Sequence, residues 1–294
     1  MNFPTIAIFS PGDMGHAVGQ FLHTDGHRII SCLRERSAVT RQRAERAGFE
    51  NVDTLAQAVD EADLILSIMP PDAALKFASD VAALLPQCAS PPVFVDCNAI
   101  SPDTVRGIAK TITDAGAKFI DAGIVGPPPG RGEPRFYTSG EYAPLFDELD
   151  GKGIIVRNIG AEIGQASGLK MCYASLTKGL MTLWTAGLMT AERLDLFEPL
   201  TKELAESQGH LYNFAKVSLP RLPADSGRWI GEMEQIAETY AAVGVTDGFH
   251  RGAAEVFSVM ARTPFAEETR ENIDPNRTLE DAIKTYAEYL NKVI

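Results

Sequence analysis

The sequence predicts an α/β fold in which a doubly wound parallel sheet is followed by an all-helical domain. Two observations predict it. Short apolar strand patterns alternate with helical patterns in the first half of the chain, and from about residue 164 onward only helical patterns follow. Parallel strands joined by helices form a Rossmann-type sheet, which binds ligands at the carboxyl ends of its strands. We therefore expect this sheet domain over residues 1–160 and an all-α domain over residues 161–294.

The individual elements are placed by apolar runs and by residues that cap helices. Ser101-Pro102 has an N-cap followed by proline at the first helical position, and Gly48 and Gly116 suit helix C-termini. Strands are predicted over residues 6–9, 28–33, 64–69, 92–96, 118–121 and 135–139. Helices are predicted over residues 17–23, 40–47, 54–59, 73–85, 101–115, 164–196, 198–215, 229–243, 249–260 and 279–293.

The composition excludes several classes of partner. The 294 residues include 39 Asp and Glu against 27 Lys and Arg, a net charge of -12, so neither a nucleic-acid surface nor an anionic membrane partner is expected. The four cysteines form no CxxC pair and the histidines show no metal-ligand spacing, which predicts free thiols in a reducing cytoplasm and no metal site. No signal-peptide pattern and no membrane-spanning apolar run is present in the sequence.

A glycine-containing turn follows the first predicted strand. It consists of Ser10, Pro11, Gly12, Asp13, Met14 and Gly15. Gly12 lets a pyrophosphate approach the backbone, Gly15 lets the next helix pack on the strand, and the helix N-terminus attracts the phosphates. The usual pattern has a glycine where this chain has Ser10, so we expect the turn to be built differently there. Two glycines at such a turn can also serve packing alone.

The residues after the second predicted strand bear on the choice of dinucleotide. An NAD site usually has Asp or Glu there, whereas the 2′-phosphate of NADP favours arginines and a hydroxyl group. Arg34, Arg36 and Ser37 follow this strand, so we predict that NADP(H) is preferred. Glu35 leaves NAD(H) open, because it could be the acidic residue shifted by one place. A solvated charge cluster that opens a helix is the other interpretation.

The long helix predicted from residue 164 carries a lysine among apolar residues. Tyr173, Thr177 and Lys178 follow Lys170 at spacings that place them on or beside its face of an α-helix. A lysine stem that reaches solvent is the commoner situation. To act as a base, Lys170 would need its pKa to fall from about 10.4. Desolvation by the apolar face would lower it, and the like charge of Lys178 could add to the effect.

Together these motifs resemble the 6-phosphogluconate dehydrogenase-like superfamily, in its β-hydroxyacid dehydrogenase branch, over essentially the whole chain. The matching motifs are Asp13-Met14-Gly15, Met69-Pro70, Asp96 through Ser101-Pro102, the loop over residues 121–127, and the segment from Gly164 to Lys170. The resemblance implies that Lys170 is the general acid/base. We predict that Met69, Pro70 and Asn98 belong to the cofactor site together with the glycine turn.

The chain departs from the family's pattern where a hydroxy-acid is usually held. The family's substrate-binding serine falls on Val125, its second glycine on Pro127, and its asparagine on Tyr173 or Ala174. The chain also looks like a divergent subgroup with a C-terminal helical domain of unknown function, on residues 170–179 and 232–237. We therefore predict Tyr173 as a second catalytic candidate. The predicted substrate-binding residues are Gly123, Ile124, Val125, Thr177, Lys178 and His250.

These residues predict an NADP-dependent oxidoreductase that transfers hydride between nicotinamide and a small hydroxy-acid or carbonyl substrate. The cofactor would supply the hydride chemistry, and Lys170 would move the proton at the substrate oxygen. Imine reduction is an alternative that Tyr173 keeps open. A non-catalytic NADP(H)-binding sensor is another, because the first glycine and the usual substrate residues are missing.

The helix predicted over residues 164–196 also bears on assembly. Its large apolar residues are Leu176, Leu180, Met181, Leu183, Trp184, Leu188 and Met189. A helix that is apolar most of the way round must be buried most of the way round. The helical half could bury it internally, but a homodimer through the helical domains fits better and is what the resemblance implies.

Overall fold

The computed structural model describes residues 3–34, 36–270 and 272–290. The chain divides into two compact units, of which the first ends at Cys172 and the second begins at Tyr173. The first unit therefore runs past residue 160, where we expected the boundary. Glu35 and residues 291–293 of the last predicted helix lie outside the described residues.

Eight strands in the described part of the first unit form one sheet. They are β1 (Thr5–Phe9), β2 (Arg28–Ser31), β3 (Glu50–Asn51), β4 (Leu64–Ser67), β5 (Val93–Asp96), β6 (Phe119–Val125), β7 (Arg135–Ser139) and β8 (Ile155–Gly160). Their order in the sheet is β3-β2-β1-β4-β5-β6-β7-β8. Strands β1 to β6 pair in parallel, β7 is antiparallel to β6, and β8 is parallel to β7. This order of the first six strands confirms the predicted Rossmann-type fold.

The sequence did not predict β3 or β8. β3 consists of two exposed polar residues, Glu50 and Asn51, and exists because they pair with β2. β8 is largely exposed and contains Arg157 and Asn158. β3 is therefore formed by main-chain pairing alone, whereas β8 packs only its first residues, such as Val156, against the core. Neither strand shows the apolar pattern on which strand prediction depends.

Helices cover both faces of the sheet. The helices up to the boundary between the units are α1 (Asp13–Thr24), α2 (Ala38–Arg46), α3 (Leu55–Glu61), α4 (Pro71–Ala82), α5 (Pro102–Asp114) and α6 (Gln165–Ala174). Side chains alternate along β1, so that Ile6 and Ile8 join one apolar cluster while Ala7 and Phe9 join the other. Residues of α1 and α2 pack in the first cluster, and residues of α3, α4 and α5 pack in the second.

All the secondary-structure elements described in the second unit are helices, as predicted. Its helices are α7 (Leu180–Arg193), α8 (Phe197–Ser207), α9 (Gly209–Ser218), α10 (Pro223–Ala242), α11 (Gly248–Met260) and α12 (Leu279–Tyr289). Fully buried side chains such as Met233, Ile236, Phe257 and Tyr286 form its core. In the described part of the chain, no helix has both the length and the apolar character that crossing a membrane requires.

Two of the predicted helices are each divided in the structure. The stretch over residues 164–196 consists of α6, a π-helical turn over Ser175–Gly179, and α7. The stretch over residues 198–215 breaks at Gln208, whose backbone is not helical, and gives α8 and α9. Apolar periodicity does not reveal such breaks, because it continues wherever the segments on both sides face the same core.

Candidate active site

The turn between β1 and α1 shows how the chain replaces the first glycine of the usual pattern. Ser10 has a φ of 60°, in the left-handed region that residues with a Cβ atom disfavour by about 1–2 kcal/mol. The amide of Gly12 donates a hydrogen bond of 2.6 Å to Ser10 O, which closes the turn. The serine itself thus takes the strained conformation that glycine would adopt more readily.

The same turn fits the pyrophosphate of a dinucleotide. Gly12 is the N-cap of α1 and offers no side-chain cap, so an anion can reach the amides of the first helical turn. A Cβ atom at Gly15 would lie 3.1 Å from Ser10 O, a tight contact that glycine avoids where helix and turn approach each other. Pro11 is buried and Met14 packs against the core, and both hold the turn in place.

The end of β2 presents two arginines. Arg34 and Arg36 are exposed, and neither forms an ion pair with any residue that the structure describes. Ser37 is the N-cap of α2, and its Oγ accepts a hydrogen bond of 3.2 Å from Thr40 N. Since β2 neighbours β1, these residues follow the strand that lies beside the glycine turn. The two guanidinium groups are suited to a phosphate on the adenosine ribose.

Asn98 ties the ends of β4 and β5 together. Its Oδ1 accepts a hydrogen bond of 2.7 Å from Met69 N, and its Nδ2 donates to Ser67 Oγ and to Asp96 Oδ2, each at 2.9 Å. The side chain is buried and both of its N–H groups are used in this way. It therefore positions the Met69-Pro70 segment at the sheet edge, and a direct contact between Asn98 and a cofactor stays a prediction.

Asp96 is a buried carboxyl group next to this segment. Burial raises the pKa of Asp96 to about 7, while hydrogen bonds from Asn98 act in the opposite direction and the neighbouring Asp121 adds to the increase. The usual pKa of an aspartate is about 3.9. The folded protein therefore holds this proton more tightly than the unfolded chain does.

We expect the titration of Asp96 to make stability depend on pH. Because the folded pKa is raised, its contribution to the free energy of unfolding is fully present below about pH 4 and is lost as the pH rises through about 7, by up to about 1.4 kcal/mol per pH unit. Asp96→Asn should therefore gain stability relative to the wild type as the pH rises from about 4 to about 7, as measured by urea unfolding. The exposed Asp103→Asn is the control for removing a carboxylate outside the core. A stability difference between Asp96→Asn and the wild type that does not change with pH would contradict the expectation.

A second buried carboxylate, that of Asp121 on β6, anchors the start of α6. Its Oδ2 accepts hydrogen bonds from Gly164 N at 2.8 Å and from Ser139 Oγ at 2.9 Å, and its Oδ1 accepts one of 2.6 Å from Ser167 Oγ. Burial raises the pKa of Asp121, although the hydrogen bonds from Ser167 oppose this. A carboxylate at a helix N-terminus is also stabilised by the helix dipole. The position of α6 on the sheet is thereby fixed at its first turn.

Lys170 is held by the same strand. Its Nζ donates a hydrogen bond of 2.7 Å to Ile124 O. Gly123 makes the close packing possible, because a Cβ atom there would lie 2.7 Å from Ala166 O and 2.9 Å from Lys170 Cβ. The structure therefore brings together three residues that the sequence predicted for the site: Lys170, Gly123 and Ile124. Val125, which stands where the family has a serine, is buried.

In the second unit, Thr177 and Lys178 lie in the π-helical turn over Ser175–Gly179. Such a turn holds one residue more than an α-helical turn. Lys178 forms an ion pair with Glu232, and its Nζ lies 4.9 Å from the ring centroid of Trp229. The carboxylate of Glu232 offsets the positive charge of Lys178, and an effect of Lys178 on the pKa of Lys170 stays a prediction. Thr177 Oγ1 donates to Tyr173 O at 3.0 Å.

His250 is buried in the second unit. Its ring packs against Tyr240 with centroids 4.6 Å apart, and Tyr240 Oη shares a hydrogen bond of 2.5 Å with Ser175 Oγ. Burial lowers the pKa of His250, which favours the neutral ring, although the backbone of Ser175 acts in the opposite direction. Tyr173, the other aromatic candidate, is half-exposed. Contacts of Tyr173, Thr177, Lys178 and His250 with a substrate stay predictions.

Two features of the site were missed by reasoning from the sequence. One is the anchoring of α6 by Asp121 through Ser139 and Ser167. The other is an ion pair between Arg131, in the proline-rich loop after β6, and Asp13 in the glycine turn. The only sequence signal for the first is an aspartate that ends a strand motif, and the second has none, since its partners are 118 residues apart.

Family models match both parts of the chain. Residues 5–140 match the NAD binding domain of 6-phosphogluconate dehydrogenase, and residues 191–260 match a domain of unknown function, DUF1932. Among curated proteins, an uncharacterised 28.5 kDa protein of Methanothermus fervidus is 28% identical over 206 residues, 69% of this chain and 77% of that protein. A 3-hydroxyisobutyrate dehydrogenase of Pseudomonas aeruginosa is 25% identical over 237 residues, 76% of this chain and 78% of that protein.

Solved structures share the fold. A conserved hypothetical protein of Sinorhizobium meliloti 1021 has a TM-score of 0.69 at 25% identity and covers 97% of this chain and 96% of its own. The 3-hydroxyisobutyrate dehydrogenase of Mycobacterium tuberculosis, solved with L-serine, has a TM-score of 0.69 at 18% identity over 99% of this chain and 100% of its own. An imine reductase of Myxococcus stipitatus in complex with NADP+ has a TM-score of 0.51 at 18% identity over 87% and 93%.

These matches agree with the resemblance that was inferred from the glycine turn, the strand ends and the segment from Gly164 to Lys170. The two structures at 18% identity support the fold alone. The two family models follow one another along the chain in the same order as the sheet and the helical unit. The chain thus contains the NAD binding domain of the 6-phosphogluconate dehydrogenase family at residues 5–140, followed at residues 191–260 by the domain of unknown function DUF1932.

Proposed function

We propose that this protein is an NADP-dependent oxidoreductase that transfers hydride between nicotinamide and a small hydroxy-acid or carbonyl substrate. The observation that carries the proposal is the hydrogen bond from Lys170 Nζ to Ile124 O. It holds an amino group at the end of β6, in the loop to which the family resemblance assigns the substrate. The 3-hydroxyisobutyrate dehydrogenase relative supports a substrate of this class.

Lys170 is the proton-transfer group in this proposal. The nicotinamide, when bound, supplies or accepts the hydride. In the direction of reduction, Lys170 Nζ gives a proton to the substrate oxygen, and in the direction of oxidation it takes the hydroxyl proton. The Ile124 carbonyl and the Asp121 anchor keep Nζ at one place, because β6 holds α6 both at its first turn and at the lysine. Tyr173 is the second candidate for this role.

The residues proposed to hold the cofactor come from three strand ends. The turn from Ser10 to Gly15 receives the pyrophosphate, and Arg34 and Arg36 receive the 2′-phosphate of NADP. Asn98 positions Met69 and Pro70 beside them. The imine reductase neighbour that was solved with NADP+ supports NADP as a cofactor suited to this fold.

A substrate panel tests the proposed reaction. The purified protein is mixed with NADPH or NADP+ and with hydroxy-acids, their keto forms or cyclic imines, and absorbance of the reduced nicotinamide is followed. Turnover of a hydroxy-acid and its keto form is expected. Turnover of cyclic imines alone would replace the proposal with imine reduction, for which imine reductase neighbours give the fold precedent. NADPH binding without turnover of any compound would favour the sensor.

We also propose that the protein is a homodimer through its helical units. Leu176, Leu183 and Phe249 are each about 70% exposed and line an open groove of about 710 Å³ together with Leu180 and Val256. Leu188 and Met189, by contrast, are buried within the unit. Part of the apolar helix is therefore buried internally, and the part that remains exposed supports a second copy as its partner.

Sedimentation velocity at micromolar concentration should show a dimer. Leu183→Glu should dissociate it, because a charged residue would enter the buried interface. Leu75→Glu, at a half-exposed leucine of α4 in the other unit, is the matched control and should leave the dimer intact. An active monomer of the wild-type protein would contradict the proposal.

A cytoplasmic location is proposed on the chemistry of the cysteines. Cys32, Cys88, Cys97 and Cys172 are all free thiols. Unpaired cysteines are typical of proteins in a reducing compartment. NADP(H) and a small-molecule substrate would be the partners there besides the second copy of the chain.

A further inference from the structure

The loop between β6 and β7 contains a proline-rich segment that the proposed function does not yet use. It consists of Pro127, Pro128, Pro129, Gly130, Arg131 and Gly132. Arg131 N donates a hydrogen bond of 3.1 Å to Pro128 O, and Pro129 forms a β-bridge with Gly132. Gly130 has a φ of 84°, and a Cβ atom at Gly132 would lie 2.6 Å from Pro127 Cγ. The glycines and prolines thus hold the backbone around Arg131 in a tight turn.

Arg131 reaches from this loop to the glycine turn. Its Nη2 pairs with Asp13 Oδ2 at 2.5 Å, and both side chains are partly exposed. Asp13 is the first residue of α1, and it lies in the turn that is proposed to receive the pyrophosphate. The contact therefore brings a guanidinium group to the helix N-terminus where the phosphates would bind.

The charges at this place favour a cationic group. The carboxylate of Asp13 is favourable at a helix N-terminus, but it has the same sign as the phosphates of a dinucleotide. An arginine beside it cancels this charge. The guanidinium group carries five N–H donors in a planar fork, and the contact with Asp13 uses its Nη2. The geometry of the remaining donors is suited to phosphate oxygens.

We propose that Arg131 is a cofactor-binding residue that contacts the pyrophosphate of the dinucleotide, with Asp13 holding its guanidinium group at the turn. The inference rests on the proposed function only in requiring a dinucleotide at this turn. Because NADP(H) and NAD(H) share the pyrophosphate, Arg131 must affect both cofactors equally. This separates its role from that of Arg34 and Arg36, which would discriminate between them.

Calorimetric titration of the intact protein with NADPH and with NADH tests the proposal without any turnover. Arg131→Ala should raise the Kd of both cofactors by a similar factor, roughly 10- to 100-fold, as expected for a lost hydrogen bond to a charged group. Arg251→Ala is the matched control, since it also removes an exposed arginine that is paired with an aspartate, here Asp247 on the same side of α11. Thermal unfolding of each variant checks that it is folded.

A second background separates direct contact from simple neutralisation of Asp13. If Arg131 contacts the pyrophosphate, Arg131→Ala should still weaken both cofactors about 10-fold or more in an Asp13→Asn protein. If the loss disappears in that background, Arg131 acts only by neutralising Asp13 and the proposal is overturned. An unchanged Kd in Arg131→Ala, or a loss confined to NADPH, overturns it as well. A wild-type protein that binds neither cofactor would overturn the proposed function together with this inference.

Discussion

Lys170→Ala is expected to lower kcat by roughly 10²- to 10⁴-fold, the usual contribution of general acid/base catalysis. The Kd of NADPH should change little, because the Lys170 amino group is held at Ile124 O, at the end of β6 where the substrate is proposed to bind. Steady-state kinetics on the substrate found by the panel, together with calorimetric titration of NADPH, measure both quantities. The loss should fall on kcat, since the proton is transferred only in the reaction itself.

Two further variants make this expectation specific. Lys110→Ala removes an exposed lysine of α5 that pairs with Asp114, and it should leave kcat unchanged. Lys170→Met keeps an unbranched side chain at the same place, so it should fail as fully as Lys170→Ala if the amino group is what matters. Full kcat in Lys170→Met would move proton transfer to another residue, and Tyr173→Phe would then be the next variant to measure.

The double variant Arg34→Ala/Arg36→Ala is expected to raise the Kd of NADPH by roughly 10²- to 10⁴-fold, since two hydrogen bonds to a charged group contribute about 1.5–3 kcal/mol each. The Kd of NADH should change far less, because NADH has a hydroxyl group where NADPH has the 2′-phosphate. Calorimetric titration of wild type and variant with both cofactors gives the ratio directly.

Arg46→Ala is the matched control for this pair, because Arg46 is an exposed arginine at the far end of α2. It should leave both Kd values close to the wild-type values. An equal increase in the Kd of NADPH and of NADH in the double variant would mean that the two arginines do not bind the 2′-phosphate. A wild-type preference for NADH would lead to the same conclusion.

The architecture around Lys170 explains why a small residue is required on β6. On this strand, Asp121 accepts a hydrogen bond from Gly164 N and Ile124 O accepts one from Lys170 Nζ. Between them, a Cβ atom at Gly123 would lie 2.7 Å from Ala166 O. The carboxylate fixes the helix N-terminus, the glycine lets the backbones approach, and the carbonyl holds the amino group. The lysine is therefore positioned by one strand. By the family resemblance, Val125 stands where a substrate-binding serine would be.

Much of the fold could be predicted from the sequence, because its signals are local. The pattern over residues 135–139 gives β7 with the same bounds, and Ser101 caps α5 as predicted, accepting a hydrogen bond from Thr104 N. Apolar alternation, helix caps and glycines after helices each involve residues that are close in sequence, so these signals can be recognised from the sequence alone. The change from sheet to helices near residue 164 is of the same kind.

Only the tertiary structure decided which distant residues meet. The pairing of Lys178 with Glu232, 54 residues away, turns a candidate charge into a neutralised ion pair. The contact of Arg131 with Asp13 spans 118 residues, and strand β3 exists only because β2 lies beside it. Such contacts depend on where the topology brings separate segments and on how many residues a helical turn holds. The sequence by itself therefore determined the fold class, the family and the candidate lysine, while packing and main-chain pairing decided which charges remain available for chemistry.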